Sequence, residues 1–224
     1  MTVPGRKQGS APVRAPESRG RTDSKPRPKT ARGRRTRTRL LDAAAEEFGA
    51  RGFHDASVAS ITAAAGVAQG TFYIYFDSKE DLFRQLVLDM GQRLREHLEP
   101  ALGAVRDRIE AERAGLKAFL TFARDNGNFY RIVMEAQFVD PDVFRRYFSD
   151  FGKAYTENLD RAARKGQIRP GNAEVRAWAL MGISVFLGLR FAVWDAGDEV
   201  EDLVDGVMDM LADGLRPDGA GDAP

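Results

Sequence analysis

The chain of 224 residues contains no cysteine and only two histidines. Without cysteine it can form neither a disulfide framework nor a thiolate metal site. His54 and His97 are far apart in the sequence, which leaves little for a zinc site. We therefore expect no metal and no cofactor. The chain also lacks the GxSxG, P-loop, HExxH and GxGxxG motifs, so we do not expect an enzyme.

Long apolar runs are missing as well. The longest, residues 177–189, has 13 residues and includes two glycines and a serine, whereas a membrane span needs about 20. Residues 1–39 contain no apolar run of the kind that forms a secretory signal. We therefore expect a cytoplasmic protein that does not enter a membrane. The 14 phenylalanines and the length predict one large or two small folded domains.

Positive charge is concentrated at the amino terminus. Residues 1–39 contain 13 basic and two acidic residues, a net charge of +11, whereas the other 185 residues carry −10. Such an arm is typical of a polyanion binder or a targeting segment. Its five prolines would break the amphipathic helix of a transit peptide. We interpret residues 1–33 as a disordered basic arm and residues 217–224 as a flexible tail.

The rest of the chain shows helical spacing of apolar residues and no sustained strand alternation, which predicts an all-α fold. About nine helices are expected. They run from the Arg34–Thr38 region to Gly52, Val58 to Ala65, Gln69 to Phe76, from Ser78 to an interruption or kink at Pro100, Ile109 to Asp125, Asn128 to Phe138, Pro141 to Lys165, Asn172 to Trp194, and Val200 to Leu215.

Residues 57–76 form two short predicted helices joined by a tight turn. Ser57 is a good N-cap, and Gly66 supplies the left-handed residue that a sharp turn needs. This is the outline of a helix-turn-helix, whose second helix enters the major groove of DNA. Any helical hairpin of a bundle has the same outline. The basic arm upstream favours DNA binding, because such arms reach into the minor groove.

Several segments between residues 48 and 83 have a specific order and spacing: Phe48-Gly49-Ala50-Arg51-Gly52-Phe53, Ser57-Val58, Ile61, Ala64-Ala65-Gly66-Val67, Gly70-Thr71-Phe72-Tyr73-Ile74-Tyr75-Phe76 and Ser78-Lys79-Glu80-Asp81-Leu82-Phe83. They resemble the DNA-binding region of TetR-family transcriptional regulators. The resemblance implies a bacterial homodimeric repressor that binds a palindromic operator and releases it when a small molecule binds. It also implies a three-helix DNA-binding domain at 34–83 and a helical ligand-binding and dimerisation domain at 84–216.

Ten residues are expected to contact operator DNA. Gln69, at the start of the third helix, can read a base edge, best an adenine, and Thr71 can contact a phosphate or a thymine methyl. Gly70 permits close backbone approach. Ser57 and Lys79 lie at helix N-termini, which favour phosphate, although the first could be only a cap and the second only a solvated charge. The full set is Arg35, Arg37, Ser57, Ala68, Gln69, Gly70, Thr71, Tyr73, Tyr75 and Lys79.

Three residues depart from the family's common pattern. Ala68 stands where a capping serine is usual, Gln69 where lysine is frequent, and Thr62 where a small alanine usually packs. The first two weaken the intrinsic hold on DNA. Residues 40–98 carry five basic and nine acidic residues, so much of the attraction to DNA is expected from the arginines that precede them.

Aromatic residues are concentrated in the predicted ligand-binding half, where seven phenylalanines lie between residues 119 and 151. Aromatic side chains on facing helices predict an apolar pocket for a hydrophobic effector, although each could belong to ordinary bundle core. Arg131 and Glu135 are expected to pair at the surface, or alternatively to orient a polar ligand head. The expected pocket residues are Phe119, Phe122, Phe129, Phe138, Phe144, Tyr147, Phe148, Phe151 and Trp178.

The last two helices, at 172–194 and 200–215, are expected to form a four-helix dimer interface with a second copy. An internal core helix is the alternative for the first of them. The sequence therefore predicts a sequence-specific DNA-binding regulator, released from its operator by a small molecule. A transcriptional activator of the same fold and an architectural DNA-binding protein are the alternatives.

Overall fold

The computed structural model describes residues 28–194, 197 and 199–215. Within these ranges the chain forms nine α-helices and no strand, as predicted. The predicted tail and most of the predicted arm lie outside the described residues. The helices are α1 (Ala31–Asp55), α2 (Val58–Ala64), α3 (Gln69–Tyr75), α4 (Lys79–Gly103), α5 (Arg108–Asp125), α6 (Gly127–Val139), α7 (Pro141–Arg164), α8 (Ala173–Leu187) and α9 (Val200–Leu215).

Helix α1 begins earlier than predicted. It starts at Ala31, within the segment that was predicted to be disordered and before the predicted domain boundary at residue 34. The Thr30 hydroxyl accepts a hydrogen bond from the Gly33 amide at 3.1 Å and caps the helix. Arginine is a good helix former, so the first turns of α1 can form without an apolar face. Apolar spacing therefore did not predict that the helix begins at Ala31.

Glycine and proline act differently in two of the long helices. At Gly52 the backbone leaves the helix with φ 80° and ψ 168°, as the sequence predicts. At Pro100, α4 continues without interruption to Gly103, so the predicted interruption is wrong. Pro100 removes only its own N–H bond to the carbonyl four residues earlier, and three more residues follow it in the helix. Helix α4 also crosses the predicted domain boundary at 83/84 and therefore belongs to both domains.

One apolar core joins the amino-terminal helices to the rest of the molecule. Phe48, Phe72 and Phe83 are fully buried in it, and it continues into α6 and α7 through Ile132 and Tyr147. Two smaller clusters lie between α7 and α8 and between α5 and α9. Because the first core is continuous, α6 packs directly against α1 of the amino-terminal unit.

The end of the eighth helix is not the regular α-helix that was predicted. From Gly188 to Trp194 the chain is π-helical. The Tyr130 hydroxyl donates to the Val185 carbonyl at 3.1 Å and lies against Gly188, so a side chain from α6 is inserted at the point where the helix changes. Side chains inserted into a helix ladder commonly disturb its regular bonding.

The segment Ala173–Trp194 is long and apolar enough to cross a membrane, and its most apolar 18-residue window has a mean hydropathy of 1.6. The prediction counted only an unbroken apolar run and missed this length. Only 22% of its most apolar window is buried in the single chain. One such helix is weak evidence for a span, and its exposed apolar side chains equally suit a protein partner.

We predict that Gly188→Ala lowers the free energy of unfolding by about 1–3 kcal/mol, because a Cβ there would collide with the Tyr130 hydroxyl and Phe119. The matched control is Gly206→Ala in the interior of α9, where a Cβ meets nothing within 4 Å. That variant should be neutral or up to about 1 kcal/mol more stable. Urea denaturation measures both, and equal effects would contradict the tight contact.

Candidate nucleic-acid interface and apolar cavity

The turn between α2 and α3 is fixed by local hydrogen bonds. Ser57 caps α2 by accepting from the Ser60 amide at 3.0 Å, and the Ser60 hydroxyl accepts from the Ser57 amide at 3.1 Å. Gly66 has φ 61°. The Arg39 guanidinium donates to the Ala65 and Gly66 carbonyls. The buried Thr62 hydroxyl donates to the Val58 carbonyl at 2.8 Å, so threonine is accommodated where a smaller residue was expected.

Helix α3 is buried on one face and exposed on the other. Phe72 is fully buried, whereas Tyr73 is 49% and Ile74 67% exposed. Gln69 and Gly70 are exposed at its start, and Ala68 makes no side-chain cap, as predicted. A short helix whose exposed face carries both polar and apolar side chains suits insertion into a major groove. Ile74 was not among the predicted contacts, although its position four residues after Gly70 places it on the exposed face.

Two residues that were predicted to contact DNA make contacts within the protein. Tyr75 is half-buried and packs against the core. The Arg37 guanidinium donates to the Gln85 Oε1 atom at 2.8 Å and lies 5.7 Å from the Phe76 ring centroid. Arg35 is exposed, as its predicted role requires. The sequence could not separate these arginines, because a stretch without apolar periodicity does not indicate which side chains face inward.

Lys79, which was predicted to contact a phosphate, binds backbone carbonyls of the protein in this structure. Its Nζ atom donates to the carbonyls of Phe53 at 2.7 Å, Ala56 at 2.8 Å and His54 at 3.3 Å. The ammonium also lies 4.4 Å from the Phe53 ring centroid. A lysine has three donors, and all three are used. Lys79 therefore stabilises the carboxyl end of α1 in this structure.

Helix α6 holds the same end of α1 from the other side. Arg131 Nη1 donates to the carbonyls of Gly49 at 2.9 Å and Ala50 at 3.0 Å. Glu135 Oε1 accepts from the Phe53 amide at 2.8 Å. The predicted surface pair between Arg131 and Glu135 is therefore wrong. Each side chain satisfies backbone groups that the break at Gly52 leaves without helical partners. We call residues 49–56 the Gly52 junction.

A cavity of about 560 Å³ lies between α4, α5, α7, α8 and α9, within the size range of small-molecule sites. Four predicted residues line it, namely Phe119, Tyr147, Phe148 and Phe151. The aliphatic lining, which sequence reasoning missed, comes from Leu94, Leu98, Leu116, Leu180, Met181, Val207, Met208 and Leu211 among others. Aliphatic residues of this kind are ordinary core residues by sequence, and only the packing shows that they enclose space.

The other five predicted pocket residues do not line the cavity. Phe122 and Phe129 are buried against each other with centroids 5.2 Å apart. Phe144 packs against Phe148, with ring centroids 4.9 Å apart. Phe138 is 80% exposed, and Trp178 is half-exposed and lies over Gly152. Aromatic density predicted the region correctly, but it does not specify which helix face each ring occupies.

The cavity has two chemically different ends. At one end the Gln167 side chain donates a hydrogen bond to the Arg106 carbonyl at 2.9 Å, which joins the residues after α7 to the α4–α5 connection. The exposed Arg161 and Lys165 lie at this end. At the other end lies the aromatic group around Phe119. Along α5, Arg108 and Phe119 are about 16 Å apart at 1.5 Å per residue. The basic lining residues are Arg95, Arg106, Arg108, Arg161 and Lys165, against the acidic Glu99, Asp107 and Glu112.

Three polar side chains interact within the cavity wall. Arg108 Nε donates to Glu112 Oε1 at 2.9 Å, and the Tyr155 hydroxyl donates to Glu112 Oε2. Burial, followed by the charge of Glu112, raises the pKa of Tyr155 well above its ordinary value, so this hydroxyl remains a donor at neutral pH. Apart from the i, i+4 spacing of Arg108 and Glu112, the sequence gives no signal of this cluster.

Helix α6 also borders the aromatic end of the cavity. The Tyr130 ring lies 6.4 Å from the ring of Phe119, which lines the cavity. Burial raises the pKa of Tyr130 far above its ordinary value, so its phenol stays neutral. The same helix therefore contacts a cavity-lining residue through Tyr130 and the Gly52 junction through Arg131.

Comparison with known proteins agrees with this architecture. Residues 40–86 match the model for bacterial regulatory proteins of the tetR family. The HTH-type transcriptional regulator YdgC of Bacillus subtilis, itself uncharacterized, is 31% identical over 196 residues, covering 84% of this chain and 97% of that protein. The fatty acid metabolism regulator protein of Bacillus subtilis is 27% identical over 186 residues, covering 79% and 94% of the two chains.

A solved structure shows the same fold over nearly its whole length. FadR from Bacillus subtilis, in complex with stearoyl-CoA, superposes with a TM-score of 0.69 at 21% identity and covers 80% of this chain and 99% of that one. The relatives are transcriptional regulators and not enzymes. With the helix-turn-helix on α2 and α3 and a helical domain behind it, the chain belongs to the TetR family of bacterial regulatory proteins and is a DNA-binding transcriptional regulator.

Proposed function

We propose that this regulator binds a palindromic operator as a homodimer and releases it when a fatty acyl-CoA occupies the cavity. The observation that carries the proposal is the polarity of the cavity, which is basic at one end and apolar around Leu116 and Phe119 at the other. An acyl-CoA has a long apolar chain and an anionic phosphate head, so the two ends match. The similarity to a fatty acid metabolism regulator and to a regulator solved with stearoyl-CoA supports this effector class.

The proposed DNA contacts come from the exposed face of α3 and the amino-terminal ends of α1 and α2. Gln69 reads a base edge, and Tyr73 and Ile74 contact the groove wall. Arg35 and Ser57 contact phosphates. Ala68, Gly70 and Thr71 complete the set and allow the backbone to approach closely. Arg37, Tyr75 and Lys79 leave the proposed set because they are engaged within the protein.

The proposed homodimer uses the apolar face of α8, the π-helical segment and α9. This face exposes large side chains, which a single soluble chain rarely presents together. A two-fold dimer places its two recognition helices on matching half-sites, which explains the proposed palindrome. Such a dimer works in the cytoplasm, where operator DNA and acyl-CoA are both present. The exposed residues are Val175, Trp178, Phe186, Val193, Trp194 and Met210.

The effector is proposed to lie with its acyl chain toward Phe119 and its phosphates at Arg106, Arg161 and Lys165. Charge-assisted bonds from arginine to phosphate are among the stronger polar contacts in proteins. An acyl chain that fills the aromatic end would contact Phe119, whose ring lies against that of Tyr130 on α6. Because α6 holds the Gly52 junction, movement of α6 changes the orientation of the helix-turn-helix. The position of the operator relative to the promoter determines whether its release lowers or raises transcription of the regulated genes.

We predict that Gln69→Ala relaxes discrimination at one base pair per half-site by about 1–3 kcal/mol. The measurement is selection of bound sequences from a random DNA pool, followed by titration of single-base variants. Gln137→Ala, an exposed glutamine on α6, is the control and should leave the preferred sequence unchanged. A uniform loss of affinity for all sequences would assign Gln69 to a phosphate instead. Uniform coating without a preferred sequence would support an architectural protein.

We predict that palmitoyl-CoA releases the selected operator and that Arg161→Gln weakens palmitoyl-CoA binding about threefold to tenfold, because one phosphate contact is lost. Calorimetry and fluorescence anisotropy with labelled operator measure the two steps. Arg145→Gln is the control, since Arg145 is exposed on the same helix away from the cavity. Retention of operator at saturating palmitoyl-CoA would contradict the proposed effector class.

A further inference from the structure

We propose that Arg108, Glu112 and Tyr155 form the site that reads the acyl carbonyl of the effector, and that they select a neutral thioester over a free fatty acid. The inference rests on the proposed function, because it concerns the same cavity. The three residues form a polar cluster within an otherwise mostly apolar lining.

Arg108 offers hydrogen-bond donors to the interior of the cavity. Its side chain is 14% exposed, and its hydrogen bonds in the structure go through Nε and Nη2 to Glu112 Oε1. The guanidinium also lies 5.7 Å from the Tyr155 ring centroid. A guanidinium has five N–H donors, so at least two remain for a ligand. Because these donors are largely removed from water, a hydrogen bond to a ligand acceptor lowers their free energy.

Glu112 determines which acceptor is tolerated. Its side chain is 5% exposed, and the ion pair with Arg108 has no net charge. Both carboxylate oxygens already accept hydrogen bonds, one from Arg108 and one from Tyr155. A second carboxylate bound to Arg108 would lie close to Glu112 and be repelled, since a like charge in a partly desolvated site is unfavourable. A neutral carbonyl oxygen accepts from the guanidinium without that repulsion.

Tyr155 acts as a positioning residue. Its hydroxyl donates to Glu112 Oε2 and links α7 to the ion pair on α5. Because burial keeps this phenol protonated, the orientation of the Glu112 carboxylate is fixed across the physiological pH range. The guanidinium of Arg108 is thereby held at one place in the wall.

The location of the cluster matches the order of groups in an acyl-CoA. Arg108 lies two residues after Arg106, which belongs to the basic end, and about 16 Å along α5 from Phe119 at the aromatic end. A ligand that enters from the basic end therefore leaves its phosphates and pantetheine arm at that end, presents its acyl carbonyl at Arg108, and extends its hydrocarbon chain toward Phe119. A free fatty acid would place its ionised carboxylate at the same point.

The test compares direct binding of palmitoyl-pantetheine and palmitate, which differ at the acyl head and both lack phosphates. In the full-length protein the thioester should bind about tenfold more tightly, which corresponds to about 1.4 kcal/mol. Glu112→Gln keeps the shape of the side chain but removes its charge. This variant should bind palmitate about tenfold more tightly than the unchanged protein does, while its affinity for the thioester changes less than threefold.

Glu110→Gln is the matched control, because Glu110 is an exposed carboxylate on the same helix and does not line the cavity. It should leave the thioester-to-acid preference unchanged, and thermal unfolding should show that both variants remain folded. If the unchanged protein binds both ligands equally, or if Glu112→Gln does not shift the preference, the inference is wrong. If the two ligands bind with the expected change in preference but palmitoyl-CoA does not release the operator, only the proposed function is refuted. Binding of neither ligand by either protein would overturn both.

Discussion

The Gly52 junction is the point on which the arrangement of the two domains depends. Helix α1 must break there, because Gly52 has positive φ, and the break leaves carbonyls and an amide without helical partners. Arg131 and Glu135 from α6 and Lys79 from α4 satisfy these groups. Charge-assisted hydrogen bonds of this kind contribute about 1.5–3 kcal/mol each. The coupling energies of allosteric proteins are typically about 1–3 kcal/mol, which is the same range as one such bond.

Helix α6 connects this junction to the cavity with few intermediates. Tyr130 contacts Phe119 and the α8–π boundary at Gly188, and Arg131, the next residue, binds the carbonyls at the end of α1. Adjacent residues on a helix point about 100° apart, which lets one short segment contact both surfaces. Because the surrounding core is closely packed, α6 is expected to respond to a ligand by a discrete change of position rather than by gradual deformation.

The sequence predicted the features that local rules determine. Ser57, Gly66 and Gln69 mark the helix-turn-helix because capping and left-handed backbone are short-range requirements, and the order of the helices follows from apolar spacing. It could not predict the partners of Arg131, Glu135 and Lys79, because a charged side chain that binds distant backbone groups has no periodic signal. The prediction of the cavity residues failed in part for a similar reason. Aromatic spacing located the region, but Phe138 and Trp178 face outward. The aliphatic lining residues cannot be distinguished from ordinary core residues in the sequence.

The most direct test of the account is the coupling between operator and effector in an Arg131→Met variant, with Arg124→Met on α5 as the control. The quantity is the ratio of operator dissociation constants with and without saturating palmitoyl-CoA, measured by anisotropy, together with the effector affinity of the protein without DNA. We predict that Arg131→Met moves this ratio toward one while effector affinity stays within about threefold, since the link through α6 is weakened but the cavity is intact. A ratio equal to that of the unchanged protein would show that the effector acts on DNA binding by another route.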